Sequence, residues 1–289
     1  MNSMQHIDCN LCGADETDLV VAQNGCRMVE CRHCGLVYAD PRPSPEMLID
    51  LYDSYHQRNG KDETTWKGLM SLNFAEVADL LDSKLPLKGS LLDIGCGYGH
   101  FLGLMRERGW DVFGIEPSER TSAFAVSMGL NVARTVIEKA SFPEGSFDAV
   151  SAFYVLEHLC DPLAVLRKIH GLLKPGGILV LRVPHTTPIV RLLKRIGVEN
   201  NLYDMPFHLY DFSPVTISML LGKAGFCAIR VMPGSPTLPP RRSERLVSLM
   251  SGNAARLLYA LSGGTIHLPG TSKTVFAVKA AMRQVANDA

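Results

Sequence analysis

The sequence has no excess of charge of either sign. Its 289 residues carry 29 basic and 29 acidic side chains, so the formal net charge is zero. Proteins that coat nucleic acids carry an excess of Lys and Arg, because neutralising phosphates drives that binding. The balance therefore argues against a nucleic-acid partner. Apolar residues make up 46% and charged residues 20% of the chain, which is typical of a globular protein and too apolar for a disordered one.

Two kinds of segment are also missing. No run approaches the roughly 18 apolar residues that a membrane-spanning helix needs. Residues 1–8 have no basic stretch followed by an apolar one, as a signal peptide would. We therefore expect a soluble cytoplasmic protein, in which thiols stay reduced. In that setting the eight cysteines indicate metal binding or catalysis before disulfides.

Four of these cysteines form two copies of one pattern, in which two residues separate a pair of cysteines and a glycine follows. They are Cys9 and Cys12, then Cys31 and Cys34. Each pair points two thiolates at one ion, and the glycine permits a tight turn beneath it. The spacing predicts a closed, structural four-thiolate site for Zn2+ in a ribbon of residues 1–43. The alternative is four buried cysteines, and Cys26 lacks a paired neighbour.

The ribbon is acidic. Residues 1–40 contain six acidic and two basic side chains. A zinc ribbon that gripped RNA would be basic, because it would have to neutralise phosphates. This composition disfavours an RNA-binding ribbon.

The rest of the chain predicts a helical connector and an α/β domain. In the connector, residues 44–86, Ser44 is expected to cap a first helix, and apolar spacing predicts a second helix from Trp66 to Leu85. From residue 87 to residue 289, short apolar strands alternate with helical segments, which predicts a doubly wound α/β sheet. The predicted strands are 91–94, 112–115, 147–152, 178–183, 226–232 and 274–280. Insertions are predicted at 184–211 and 233–270, the second containing a helical stretch from 241 to 261.

A glycine turn follows the first strand of this domain, at Gly95, Gly97 and Gly99. Strand, glycine turn and helix form a ligand site, because glycines let a ligand lie against the backbone and the helix start offers free N–H groups. Glu116 ends the second strand, where a carboxylate can hold both hydroxyls of a ribose. The spacing Gly-x-Gly-x-Gly departs from that of dinucleotide-binding proteins and disfavours a nicotinamide oxidoreductase.

Further motifs accompany the glycine turn. They are the segments 91–99, 142–150, 156–159 and 172–177, together with Glu116. In combination they resemble the class I S-adenosylmethionine-dependent methyltransferases over about residues 88–279. Residues 31–43 resemble the zinc-binding N-terminus of some methyltransferases that act on sugars and other small molecules. The resemblance implies a Rossmann-like, seven-stranded methyltransferase sheet preceded by a small zinc ribbon, with S-adenosylmethionine as methyl donor.

The resemblance also implies which residues bind the cofactor. They are Asp93, Gly95, Cys96, Gly97, Gly99, Glu116 and Phe153. The methionine part is expected over the glycine turn and the ribose on Glu116. Many members have an Asp before the fourth strand that helps to bind adenine. Val136 stands at that place here, which leaves the adenine contact to Glu138 or to the backbone.

Residues after the fourth strand face the methyl group in this fold, which makes Tyr154 and His158 catalytic candidates. The alternative for His158 is a local hydrogen bond at a helix start. His208 lies in an aromatic stretch, 206–213, that is similar to stretches in small-molecule members of the family. We hypothesise that His208 is the general base or orients the acceptor. The alternative is a histidine that braces the helix start at Ser213.

The expected reaction is methyl transfer to an oxygen or nitrogen of a small-molecule, saccharide or lipid-linked acceptor. The alternatives are a zinc-ribbon RNA methyltransferase and a non-catalytic binding module. Both insertions carry apolar residues with basic edges. They are predicted to form a lid packed on the core, with peripheral membrane contact as the alternative.

Overall fold

The structure, a computed structural model, describes residues 4–23, 25–44, 47–48, 62–268 and 272–281. The first strands are β1 (Met4–Gln5), β2 (Thr17–Gln23), β3 (Cys26–Cys31), β4 (Val37–Ala39) and β5 (Arg42–Pro43). The later strands are β6 (Ser90–Ile94), β7 (Asp111–Ile115), β8 (Asn131–Ala133), β9 (Phe147–Phe153), β10 (Leu173–Val183), β11 (Tyr210–Asp211), β12 (Phe226–Pro233) and β13 (Lys273–Lys279). The helices are α1 (Glu63–Lys84), α2 (His100–Glu107), α3 (Glu119–Ser127), α4 (Pro162–Leu172), α5 (Thr187–Arg195), α6 (Pro214–Lys223) and α7 (Arg242–Leu261), with a 3-10 turn at Leu156–His158.

The main sheet has seven strands in the order β12-β13-β10-β9-β6-β7-β8. The strands from β10 through β8 pair in parallel, and β13 runs antiparallel between β10 and β12. One buried cluster includes residues of α4 and α6, and a second includes residues of α1, α2 and α3. Helices therefore cover both faces, which confirms the predicted doubly wound, Rossmann-like α/β sheet.

Two element boundaries differ by several residues from those that the sequence predicted. The helix α1 begins at Glu63, not Trp66, because the Asp62 side chain caps it by accepting a hydrogen bond from the Thr65 N–H at 2.9 Å. The strand β10 begins at Leu173, five residues before the predicted start at 178, because Leu173 already pairs with Phe147 of β9.

The predicted connector is only partly described. The Ser44 hydroxyl accepts a hydrogen bond from the Met47 N–H at 3.3 Å, as the predicted N-cap requires. Residues 47–48 are helical, and the Leu48 N–H donates to the Ser44 carbonyl at 3.0 Å; the other residues of that predicted first helix lie outside the described residues. The helix α1 buries Met70 and Val77 in the same cluster as α2. The boundaries at residues 43 and 86 stay a prediction.

The ribbon sheet includes one strand from a part of the chain far from the ribbon in sequence. The strands β2, β3 and β4 pair antiparallel, and β11 adds a fourth strand beside β4. Tyr210 is opposite Tyr38, and Asp211 is opposite Val37. The segment just before β11 contains His208, so the ribbon and this catalytic candidate share one hydrogen-bonded framework.

Side chains of the first insertion bind the ribbon. Arg191 of α5 forms an ion pair with Glu30 of β3 at 2.5 Å, and the Lys194 ammonium donates to the Val20 carbonyl at 2.9 Å. An acidic side chain of the ribbon and a basic one of the insertion therefore meet in a partly exposed ion pair. The opposite charges of the two segments thus help to hold the insertion against the ribbon.

Candidate active site

The four predicted ligand cysteines lie together. Their sulfur atoms are within 4.8 Å of one another, with Cys9 to Cys34 and Cys12 to Cys31 both at 3.4 Å. Zn–S bonds of about 2.3 Å place the sulfurs of a tetrahedron about 3.8 Å apart, so the donor set fits zinc. Cys26 is not among the four residues that form this group.

The two cysteine turns share one backbone geometry. The N–H of Gly13 donates to the Cys9 carbonyl at 2.7 Å, and the N–H of Gly35 donates to the Cys31 carbonyl at 2.9 Å. Both glycines have positive φ, at 78° and 74°. This conformation is one that glycine adopts without strain, as the sequence pattern predicted. Although burial raises the pKa of Cys31, backbone N–H groups lower it to about 7, whereas burial raises the pKa of Cys9 and of Cys34. Without an ion, therefore, Cys31 favours the thiolate and Cys9 and Cys34 do not, so metal binding would release protons from those two thiols.

The glycine turn sits at the carboxyl end of β6, closely packed from two sides. A side-chain Cβ at Gly95 would approach Val155 to 2.6 Å, and one at Gly99 would approach Leu130 to 2.5 Å. Gly95 therefore lets the turn pass close to the residues that follow β9, and Gly99 lets it pass close to the chain after α3. From the sequence we predicted that both glycines bind the cofactor, and we did not predict this role in packing.

Glu116 is held over the same turn. One carboxylate oxygen accepts a hydrogen bond from the Gly97 N–H and the other from the Ser118 N–H, both at 2.9 Å. The side chain is buried, with 5% of its surface exposed. The carboxylate is thus oriented at the end of β7, where the ribose is expected.

Asp93 is the second acid at this end of the sheet. Burial raises its pKa to about 7, although the Ser151 hydroxyl donates to it at 2.7 Å. Cys96 and Phe153 belong to the buried cluster on the α1 and α2 face. Phe153 packs edge-on against Phe74 with ring centroids 5.1 Å apart. Their assignment to the cofactor stays a prediction.

Tyr154 is fixed by a buried arginine that the sequence did not single out. The Arg182 guanidinium donates to the Tyr154 hydroxyl at 2.9 Å, and this hydroxyl donates to Ser272 at 2.9 Å. Arg182 also donates to the Ser235 carbonyl at 2.7 Å. Its position inside an apolar strand pattern is the signal that could have revealed it. The catalytic role of Tyr154 stays a prediction, and its hydroxyl is engaged within the protein.

The other two catalytic candidates come together. The rings of His158 and His208 have centroids 4.8 Å apart, and Glu157 joins them in one group of ligating side chains. Burial lowers the pKa of His208 to about 4 and raises that of Glu157 to about 8. Glu157 lies in the segment 156–159, one of the motifs on which the family resemblance rests, but we predicted no role for it from the sequence. Its position directly before His158 was the signal that could have identified it.

Comparisons with known proteins point to one family. A family model for a methyltransferase domain matches residues 66–231. The ubiquinone biosynthesis O-methyltransferase of Pseudomonas aeruginosa (strain UCBPP-PA14) is 35% identical over 172 residues, which cover 57% of this chain and 74% of that protein. The enzyme of the same name from Pseudomonas entomophila (strain L48) is 32% identical over the same length and shares.

Solved structures share the fold. Phosphoethanolamine N-methyltransferase 2 of Haemonchus contortus, in complex with S-adenosyl-L-methionine, superposes with a TM-score of 0.55 at 20% identity, covering 82% of this chain and 62% of that one. A SAM-dependent methyltransferase from Archaeoglobus fulgidus gives a TM-score of 0.50 at 20% identity, covering 80% and 99%. At these identities the likeness shows the fold alone.

The sheet order, the glycine turn and the acid after β7 define a class I S-adenosylmethionine-dependent methyltransferase. The chain belongs to the methyltransferase domain family, whose model matches more than half of its length. The predicted class of enzyme and its methyl donor are thereby confirmed.

Proposed function

We propose that the protein transfers a methyl group from S-adenosylmethionine to an oxygen or nitrogen of a small-molecule, saccharide or lipid-linked acceptor. The observation that carries the proposal is the meeting of Glu157, His158 and His208. Glu157 lies two residues along the chain from Val155, which packs against Gly95 of the glycine turn. The O-methylation named for the Pseudomonas relatives supports a hydroxyl acceptor. The acidic ribbon, part of which binds α5, speaks against RNA.

The chemistry is an in-line displacement at a sulfonium. The acceptor oxygen forms a bond to the methyl carbon, the carbon–sulfur bond breaks, and S-adenosylhomocysteine leaves as a neutral thioether. A hydroxyl acceptor also loses its proton, and His208 is placed to take it or to orient the hydroxyl. Burial keeps the His208 imidazole neutral near pH 7, as a proton acceptor must be, but its pKa of about 4 makes it a weak base.

Replacing His208 with alanine tests this proposal. We expect turnover to fall by about 100-fold or more, because a positioned acid or base contributes at least that much, while the Kd for S-adenosylmethionine stays the same. Turnover is measured with labelled methyl donor and an acceptor found by screening sugar nucleotides, lipids and phenolics. His33→Ala is the control, because His33 lies exposed on the ribbon. Unchanged turnover of the His208 variant would refute the catalytic role.

Cofactor affinity is expected to rise with pH up to about 7. The folded pKa of Asp93 is raised to about 7 by burial, so below that pH the acid is protonated in the free protein. A cofactor with positive charge favours the carboxylate, and binding below pH 7 therefore releases a proton. Calorimetry from pH 5.5 to pH 8 in two buffers of different ionisation heat measures this release. A flat profile, identical to that of Asp93→Asn, would contradict the prediction.

A lipid-linked acceptor is supported by one face of α7. Gly252 and Ala255 are the residues of the helix that are buried, so they mark the face that packs on the protein. On the opposite face, exposed apolar side chains follow one another, with 40–75% of their surface accessible: Leu246, Val247, Met250, Leu257, Leu258 and Leu261. Arginines stand at the helix start, at Arg241, Arg242 and Arg245. An apolar face with a basic end is typical of helices that lie on an anionic membrane surface. Among the described residues no helix is long and apolar enough to span a bilayer.

Flotation with liposomes tests this membrane contact. We expect the protein to float with vesicles that contain anionic lipid, and Met250→Asp to reduce the floated fraction several-fold because it places a charge in the apolar face. Leu87→Asp is the matched control, since Leu87 is 96% exposed and belongs to the loop before β6, not to α7. Absence of flotation even with anionic vesicles would contradict membrane contact and leave a freely soluble acceptor.

A further inference from the structure

Three metal-ligating side chains meet where the turn after β9 faces the segment before β11. They belong to Glu157, His158 and His208, and one ligand atom of each lies within 4.8 Å of the others. Backbone contacts fix the two segments together. The Leu209 N–H donates to the Glu157 carbonyl at 2.7 Å, and His158 Nδ1 lies 3.0 Å from the Phe207 carbonyl. The cluster is separate from the four cysteines.

The environment of the Glu157 carboxylate indicates that it binds a ligand. The residue is fully buried, and neither carboxylate oxygen has a hydrogen-bond partner among the described residues. The charged group that faces it is another buried acid, Asp211, whose own oxygens accept hydrogen bonds from Thr186 and Thr187. A buried carboxylate with no donor and an acid as neighbour is strongly disfavoured. A cation bound to its oxygens removes this penalty.

We propose that Glu157, His158 and His208 bind a divalent transition-metal ion, a second site beside the four-thiolate one. Two imidazoles and a carboxylate form the ligand set of catalytic zinc sites, and three protein ligands leave a coordination position open. With its proton on Nδ1, His158 donates to the Phe207 carbonyl, and Nε2 is then the nitrogen that would bind the ion. Such a bond to the second nitrogen is the usual way in which a ligating histidine is oriented.

The open position gives the ion a role, which rests on the proposed function. An acceptor hydroxyl that binds there has its pKa lowered and releases its proton to water. The resulting oxygen anion then attacks the methyl carbon, and the electrons of the carbon–sulfur bond go to sulfur. In this scheme His208 is a ligand of the ion and does not itself deprotonate the hydroxyl.

Cobalt titration of the full-length, zinc-containing protein tests the site. We expect one further equivalent of Co2+ to bind and to give visible d–d bands without the thiolate charge-transfer absorption of the cysteine site. In Glu157→Gln and in His208→Ala this binding weakens by about 100-fold or more, because loss of a ligand exceeds the effect of losing an outer-shell partner. The zinc that stays bound to the cysteines, measured by mass spectrometry, shows that each variant is folded. His185→Ala is the matched control, since His185 is a half-buried histidine after β10 that is not in the cluster.

Two results would overturn the metal site. One is a protein that holds only the cysteine-bound ion in excess Co2+, Zn2+ and Mn2+. The other is a Glu157→Gln variant that binds the second ion as tightly as the unchanged protein. Calorimetry with S-adenosylmethionine and the acceptor screen are run on the same preparation. Methyl transfer without a second ion refutes the metal site alone, and a second ion without transfer to any acceptor refutes the proposed function alone.

Discussion

Replacing Glu116 with alanine is expected to weaken S-adenosylmethionine binding by about 100-fold or more. Hydrogen bonds to an ionised carboxylate contribute about 1.5–3 kcal/mol each, and the ribose offers two hydroxyls. The variant also leaves the N–H groups of Gly97 and Ser118 without the acceptor that now lies 2.9 Å away. The glycine turn therefore loses its anchor at the same time as the ribose loses its partner.

Calorimetry with S-adenosylmethionine and with S-adenosylhomocysteine measures this effect. Glu119→Ala is the matched control, because Glu119 lies three residues further on and its side chain is 76% exposed in a surface ion pair with Arg134. A Glu116 variant that binds both ligands like the unchanged protein would show that the acid only shapes the turn. A Glu119 variant with equal loss would point to α3 in place of the carboxylate.

Replacing Cys31 with serine is expected to abolish zinc binding and to reduce methyl transfer by about 100-fold or more, while S-adenosylmethionine still binds. A structural zinc site supplies about 10–16 kcal/mol of folding free energy to a small unit, so the ribbon strands separate without it. β4 then no longer pairs with β11, and the segment that holds His208 loses its support. The glycine turn lies on the main sheet and does not depend on this pairing.

Cys26→Ser provides the control for this experiment. Cys26 lies at the start of β3, in the same sheet, and is absent from the four-cysteine group. Zinc content, the thermal transition, cofactor affinity and turnover are measured for both variants. Full turnover in a zinc-free Cys31 variant would show that the ribbon does not hold the acceptor side in place. Loss of zinc in the Cys26 variant would mean that a fifth cysteine takes part.

Local patterns were enough to predict most of the fold. The alternation of short apolar strands with helices predicted the doubly wound sheet, because the period of hydrophobic residues differs between the two elements. A capping residue also predicted a helix start correctly: Ser213 forms a capping box with Thr216 at the start of α6. Each of these signals depends on neighbours within a few residues in the chain.

The acceptor side could be predicted only in part. His158 and His208 were identified as separate candidates, and nothing local indicates that their rings meet at 4.8 Å. Glu157 can be identified as a candidate ligand only once its burial is known, since an acid beside a histidine is common in exposed turns. From the sequence Arg182 is an ordinary charged residue; the structure shows that its strand is paired on both edges and that its side chain is buried.

The sequence by itself determined the class of fold, the four-cysteine cluster and the glycine turn, because each depends on residue types at short, fixed spacings. Only the tertiary structure decided that β11 completes the ribbon sheet and that α5 binds the acidic ribbon. It also decided that Glu157, His158 and His208 share one site. These features depend on pairings between segments far apart in the chain, which local periodicity does not encode.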